Sequence, residues 1–413
     1  MREPVSPEAS SIERAALFGT AVDAVGTGAF VSAAALFFTL QNGVSPIAVG
    51  VGLTASAVAG ALASVPVAHF ADRFGPFRVF AISYSLRAAG VIGWLAVSGD
   101  LAFLVYSVVF GLVDRSAASL TRSIVAAPLS KDDAVRVFGR MALPGNIGYG
   151  VGAGFSALVL FLELPLSLVV GANSLSFILV VLVYRPAFQG KNLVGARVRP
   201  SLLASRSSMI SAFASRRRVR VTWENFVFSF HRTLLNVYLP LLVVSRWPTL
   251  SWIVPLAFIA NATCVALVQA RTNAWVVRGY NHAIAWATSG IILGLSILVL
   301  ATAAPRSNGG IGIVLLSALI LLQIVAEILH SAALAVYMVK LSRGSALTTD
   351  MSAMNVGGQL QNIVGPVIFG ALVGPTTWML GVVVGAGVLV TGLRASSSSR
   401  RRWFESEEDA VEQ

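Results

Sequence analysis

Residues 46–78 read PIAVGVGLTASAVAGALASVPVAHFADRFGPFR, and this stretch decides the fold class. From Pro46 to Phe70 there is no Asp, Glu, Lys or Arg. An α-helix needs about 20 predominantly apolar residues to cross the hydrocarbon core of a bilayer. The run ends in Asp72-Arg73-Phe74-Gly75-Pro76-Phe77-Arg78, a charged turn around Gly-Pro, and another apolar run follows at once over 78–97. Two membrane-length runs joined by one short polar turn predict consecutive membrane-spanning helices.

The same pattern extends in both directions. Candidate spans fall at about 15–41, 46–70, 78–97, 102–126, 138–161, 165–184, 222–245, 251–270, 282–303, 311–336, 353–374 and 376–393. Turns such as Gln41–Pro46 and Ser98–Leu101 are too short for anything but antiparallel neighbours. The expected architecture is an all-α polytopic membrane protein with twelve transmembrane helices in two six-helix bundles. Composition agrees. Of 413 residues, 56% are hydrophobic and 12% charged, against about 25% charged in soluble domains. The mean hydropathy is +0.79. Too few polar side chains remain to cover a water-facing surface.

The basic residues give the orientation. Of 30 Lys and Arg, 24 lie in the terminal segments and even-numbered connections and 2, Arg246 and Arg306, in the odd-numbered ones. The positive-inside rule then puts both termini in the cytoplasm and requires an even number of spans. The expected division is a cytoplasmic N-terminus over 1–14, an N-terminal six-helix bundle over 15–184, a basic cytoplasmic loop over 185–221, a C-terminal six-helix bundle over 222–394 and a disordered tail over 395–413. The first apolar run is too long for a cleaved signal. The loop, with Arg216-Arg217-Arg218-Val219-Arg220, reads as a solvated tether or as a headgroup contact. An internal echo supports two related halves: Phe155-Ser156-Ala157-Leu158-Val159 matches Phe369-Gly370-Ala371-Leu372-Val373 in the equivalent span.

Several function classes drop out. One Cys excludes a disulfide framework and a Cys-based zinc site, and the four His, at 69, 231, 282 and 330, have no metal-ligand spacing. No metal and no cofactor are expected. The net charge of +12 is spread between apolar runs, not gathered in a basic domain, so nucleic acid is not an expected partner. There is no nucleophile–base constellation and no Gly-x-x-x-x-Gly-Lys-Ser/Thr loop. An enzyme and ATP drive are therefore not expected.

Charges within spans are functional candidates, because each costs at least ~2.5–3.5 kcal/mol near the bilayer centre. Asp23 lies in Asp23-Ala24-Val25-Gly26-Thr27-Gly28 and is a candidate to take a proton from the cytoplasmic side, or a structural partner for an Arg. Asp114 and Arg115 are helix neighbours about 100° apart, so each needs its own partner. Arg115 reads as the cation that tunes a carboxylate or holds an anionic group. Arg87 is the candidate counter-charge for Asp114 or Asp23. Glu224 and His231, seven apart with Arg232 beside them, share a helix face, Glu224 reading as interfacial. Glu327 and His330, one turn apart, suggest proton handling.

At this point the chain resembles the major facilitator superfamily, and within it the drug:proton antiporter type, over about residues 12–394. The turn after the second span resembles the family pattern Gly-x-x-x-Asp-Arg-x-Gly. Asp72, Arg73 and Gly75 match; Ala68 replaces the first Gly, and Pro76 and Phe77 replace two cations before Arg78. In the family this turn locks the two halves in one state, a role the resemblance implies here. Arg115 is similar to the family's fourth-helix Arg, with Ser119 where Gly is usual, which implies a part in proton coupling. Gly145, Gly148, Gly150, Gly152 and Gly154 in the fifth span resemble the antiporter glycine signature, with Pro144 displaced. Tight helix packing would need the same stripe.

The resulting expectation is proton-driven efflux of a small amphiphilic compound by a monomeric transporter of the inner (plasma) membrane, its partners being substrate, protons and lipid. Proton coupling falls to Asp23, Asp114, Arg115 and Glu327. The substrate cavity falls to Phe30, Phe37, Arg87, Phe228, His231, Arg232 and Tyr238. Proton-coupled uptake on the same scaffold and a non-transporting membrane factor or sensor are the alternatives.

Overall fold

The computed structural model describes residues 7–114, 117–126, 128–188, 213, 215–278, 281–303, 309–342, 347–373 and 378–396. Among them every regular element is helical. In chain order these are α1 (Pro7–Leu36), α2 (Pro46–Phe74), α3 (Pro76–Gly93), α4 (Gly99–Asp114), α5 (Ala117–Ala126), α6 (Lys131–Phe161), α7 (Ser167–Phe188), α8 (Arg216–Phe228), α9 (Phe230–Thr233), α10 (Leu239–Arg246), α11 (Ile253–Val276), α12 (Asn281–Ala303), α13 (Gly309–Lys340), α14 (Leu347–Ala371) and α15 (Trp378–Ser396). Wide π turns extend α1 through Phe37–Gln41 and link α9 to α10 through Leu234–Tyr238.

Among the described residues nine helical stretches are long and apolar enough to cross a membrane, including Ser10–Gln41, Pro46–Ala71, Arg216–Arg246 and Gly310–Lys340. The other three regions expected to span are helical too, as α4 with α5, as α6 and as α14. They fall short of the nine for visible reasons. Residues 115 and 116, between α4 and α5, lie outside the described residues. The first third of α6 holds Lys131, Asp132, Asp133, Arg136 and Arg140 and the rest is diluted by Pro144, Asn146 and its glycines, and α14 holds Asp350, Asn355, Gln359, Gln361 and Asn362.

The described residues form two compact units. Unit 1 takes those of 1–198 together with Pro240–Ala266, and unit 2 those of 199–239 together with 267–413.

In unit 1, Ser45 caps α2 by accepting from the Ala48 amide at 3.3 Å, and Pro46 opens the helix where no amide donor is needed. Asp100 holds that cap from the next hairpin, accepting from the Ser45 amide and hydroxyl, each at 2.7 Å. Asn42 donates to the Trp94 carbonyl at 3.0 Å, and its own carbonyl accepts from the Gly99 amide at 2.9 Å. The two short turns thus close on each other at one end of the unit. A cluster of Phe30, Phe37, Phe38, Trp94 and Phe103 fills the space beneath them, with ring centroids 4.8–6.5 Å apart.

The glycine stripe of α6 has two faces. A methyl on Gly148 or Gly152 would collide with the α1 backbone at Ala21 or Val25, whereas Gly150 and Gly154 look towards Ala262 and Ile259 of α11. Gly145 faces Thr20. Backbone contact of this kind replaces the hydrophobic effect as a source of helix association in lipid.

In unit 2, α12 meets α15 through Gly294 and Gly385, and α8 lies against α14 at Gly357. Arg218 at the start of α8 pairs with Asp350 of α14 at 3.5 Å, and Asp350 is fully buried.

Candidate functional site

Helix α2 stops at Phe74, Gly75 takes φ +92°, and Pro76 begins α3. Only glycine adopts that backbone at no cost. The exposed Arg73 lies over the Phe74 ring at 5.3 Å. The Asp72 side chain, assigned to the lock by the resemblance, lies outside the described residues.

In unit 1 three charges meet among four helices. Arg87 of α3 donates from Nε to Asp114 Oδ1 of α4 at 2.9 Å. Its Nη1 stands 3.6 Å from Asp23 Oδ1 of α1. The guanidinium carbon sits 3.8 Å from the Phe177 ring centroid of α7 and 4.8 Å from that of Tyr84. The Thr121 hydroxyl is committed to the Ala117 carbonyl at 3.0 Å, so the Tyr84 hydroxyl donates to Thr121 Oγ1 at 3.1 Å. Arg87 is thereby held between aromatic faces and two carboxylates. The Arg87 side chain is 9% exposed, while those of Asp23 and Asp114 are 33% and 29% exposed. The cation is sealed and the carboxylates remain reachable.

The charge count matters more than any single distance. Among the described residues one guanidinium faces two carboxylates. The two acids are not equivalent. Asp114 has a true hydrogen bond, whereas Asp23 Oδ1 and Arg87 Nη1 have none. Asp23 is the looser partner. Arg115, expected to tune these carboxylates, lies outside the described residues.

In unit 2 the sequence pairs do not persist as read. Glu224, read as interfacial, is 3% exposed within the protein, accepting from Arg220 Nε at 3.0 Å and from Trp286 Nε1 at 2.7 Å. It also does not share a straight helix face with His231. The helix ends at Phe228, resumes for one turn as α9, and then widens into the π turn. Both ring nitrogens of His330 have other partners. His231 Nδ1 faces Glu327 Oε2 at 3.7 Å, and His231 Nε2 meets His330 Nδ1 at 3.2 Å. His330 Nε2 then meets Asn225 Oδ1 at 3.1 Å.

Three residues expected to line an open cavity are packed instead. Phe37 lies in the aromatic cluster of unit 1. Phe228 is wedged against Trp286 and His330, and Tyr238 against Phe369. Their exposures are 1%, 1% and 5%. His231 is fully buried in its hydrogen-bonded chain, and Arg87 serves as a counter-charge. Phe30 is partly buried, and Arg232 is exposed. Sequence reasoning missed Asn225, Trp286, Gln323 and the Gln361–Thr233 pair. The only signal for them was a polar side chain inside an apolar run.

A family model described as Major Facilitator Superfamily matches residues 16–366. The chain belongs to this superfamily. It is therefore a multi-pass membrane transporter and not an enzyme. Solved structures of the same fold include the nucleoside transporter NupG. The alignment has a TM-score of 0.72 at 13% identity, covering 93% of this chain and 98% of that one. A POT family transporter in complex with 5-aminolevulinic acid gives a TM-score of 0.68 at 13% identity, covering 94% and 96%. A mutant POT peptide transporter in complex with alafosfalin gives 0.68 at 16%, covering 97% and 99%. No curated relative matches the chain.

Proposed function

We propose that this transporter is a proton-coupled secondary carrier of small molecules whose proton is taken up at Asp23. Twelve spans would form two six-helix bundles, over 15–184 and 222–394, that alternate access about a midplane site. Both termini would lie in the cytoplasm, and the chain would act as a monomer in the plasma membrane. One observation carries the reading: Arg87 faces Asp23 and Asp114 together, with a hydrogen bond to Asp114 alone. A proton on Asp23 leaves the guanidinium to Asp114, and its loss restores the competition. The ion pair therefore has two arrangements that differ by one proton, which is what coupling requires. Asp72, Arg73 and Gly75 would act as the conformational lock, and Arg115 would modulate the cluster from the adjacent position.

Two directions of transport fit this cluster. Efflux of an amphiphilic compound is supported by the Asp-Arg-x-Gly turn and the glycine-rich fifth span. Uptake by proton symport fits the same cluster, and the likeness to a nucleoside transporter and to peptide transporters makes nucleosides and peptides substrates to test. Everted membrane vesicles loaded with a panel of labelled amphiphiles, nucleosides and dipeptides decide between them by the direction of pH-driven accumulation. Asp23→Asn removes the competing negative charge. It is expected to lower gradient-driven accumulation at least tenfold while leaving energy-independent exchange. Full gradient-driven accumulation in Asp23→Asn would sink the coupling assignment.

A further inference from the structure

The hydrogen bonds inside unit 2 fix where protons sit, and they leave one place undetermined. Asn225 Nδ2 lies 3.0 Å from the Met354 carbonyl, so that atom is the amide donor and Oδ1 is the acceptor. Oδ1 takes a hydrogen bond from Ser229 at 3.1 Å and meets His330 Nε2 at 3.1 Å. An amide oxygen cannot donate, so His330 carries its proton on Nε2. In a neutral His330 the Nδ1 is then an acceptor. His231 must supply the shared proton from its own Nε2, across 3.2 Å. A neutral His231 is left with a bare lone pair on Nδ1, pointing at Glu327 Oε2 at 3.7 Å. Among the described residues nothing donates to or accepts from that nitrogen.

We infer that unit 2 holds a proton-binding site of its own, the gap between His231 Nδ1 and Glu327 Oε2, in which one proton is shared by imidazole and carboxylate. Its significance for transport rests on the proton-coupled reading above, but its existence does not. A proton arriving there turns two facing acceptors into a donor–acceptor pair. No bond other than N–H or O–H forms or breaks. The chain beyond His231 is an anchor and not a wire, because Asn225 can accept a proton's hydrogen bond but cannot pass the proton on. The proton must enter and leave by Glu327, whose side chain is 22% exposed while those of His231 and His330 are sealed.

The surroundings suit a site that gains and loses one charge. Helix α13 presents Glu327, Gln323, His330 and Tyr337. Gln323 Nε2 donates to Glu327 Oε2 at 2.9 Å, which steadies the carboxylate. Helix α8 presents Glu224, already engaged by Arg220 and Trp286. Helix α12 presents Trp286, 5.1 Å from the His330 ring, and His282 further along, beside Tyr337. Arg232 on His231's own turn is exposed. Helix α14 presents Gln361, bonded to Thr233. The backbone around His231 is interrupted on both sides, at Ser229 and by the π turn. Irregular turns of this type concentrate at functional positions.

The chain has four histidines, so ¹⁵N-histidine NMR of the full-length protein in lipid bilayers can read each ring, with His69→Gln and His282→Gln for assignment. Across a pH series His330 is expected to remain one neutral tautomer, protonated on Nε2. His231 Nδ1 is expected to change from a protonated to an unprotonated signal. In Glu327→Gln that change is expected to disappear, because a neutral side chain holds no excess proton. A His330 protonated on Nδ1 would overturn the inference in the unmodified protein. So would a His231 titration unaltered in Glu327→Gln. Transport that proves indifferent to pH while His231 still titrates against Glu327 would support this site and remove the coupling reading.

Discussion

Arg87 holds the unit 1 cluster by contacts of two kinds, and they predict separable defects. A cation desolvated over an aromatic face is worth about 2 kcal/mol, and the Phe177 ring lies 3.8 Å from the guanidinium carbon. Losing one partner of a fully buried ion pair costs about 3–5 kcal/mol. The two carboxylates here are about a third exposed, which lowers the expected cost of Arg87→Gln to roughly 1–3 kcal/mol. Thermal melts in detergent should show that loss. Asp114→Asn in the same chain should recover part of it, since two carboxylates facing each other without a cation are worse than one. An Arg87→Gln protein that melts like the parent would mean the clamp is idle. Arg87→Lys should recover little, because an ammonium offers no planar fork to serve both acids. The pairing of Arg87 with Asp23 and Asp114 was legible in the sequence, because unpaired charges inside a bilayer are so unfavourable that few partners are possible. The pairing of Glu327 with His231 was not. It depends on side chains from two different helices, and the helix carrying His231 is bent out of the regular period from which its faces were read.

At the level of elements, α6 shows how a single motif can hide two functions. Its glycines form one stripe in sequence, yet Gly148 and Gly152 abut α1 while Gly150 and Gly154 look towards α11. The spacing was legible; the split was not, because it depends on which neighbours arrive on each side. The two sides differ in tolerance. A methyl on Gly152 would meet the Ala29 amide nitrogen at 2.6 Å, while one on Gly154 would find only the Ile259 Cδ1 at 4.0 Å. Overpacking of a closed contact costs about 1–3 kcal/mol. Gly152→Ala is therefore expected to lower the melting temperature and transport together, and Gly154→Ala to leave stability unchanged. Equal melting of the two variants would show that α1 and α6 can separate without penalty.

For the whole molecule, the ends of unit 1 carry the topology. At one end the turns at 41–46 and 98–101 are bound to each other through Ser45–Asp100 and Asn42–Trp94. At the starts of α1 and α6, Arg140 is paired with Glu13, and Arg136 with Asp133. Lys and Arg are retained on the cytoplasmic side during insertion. The cationic end should therefore face the cytoplasm and the bound turns the opposite side. The short turns at one end of the unit were legible because turn length survives in one dimension. The grouping of Pro240–Ala266 with unit 1 was not, because no boundary in composition marks it. The topology can be tested with single cysteines in a Cys264→Ser background, since the chain has one native Cys. Ser98 is exposed, and the exposed pair of Arg136 with Asp133 contributes about 0–1 kcal/mol, so both positions tolerate replacement. A membrane-impermeant maleimide should label Ser98→Cys in intact cells and Arg136→Cys only in everted vesicles. The reverse pattern would invert the orientation and, with it, the side from which a proton reaches Asp23.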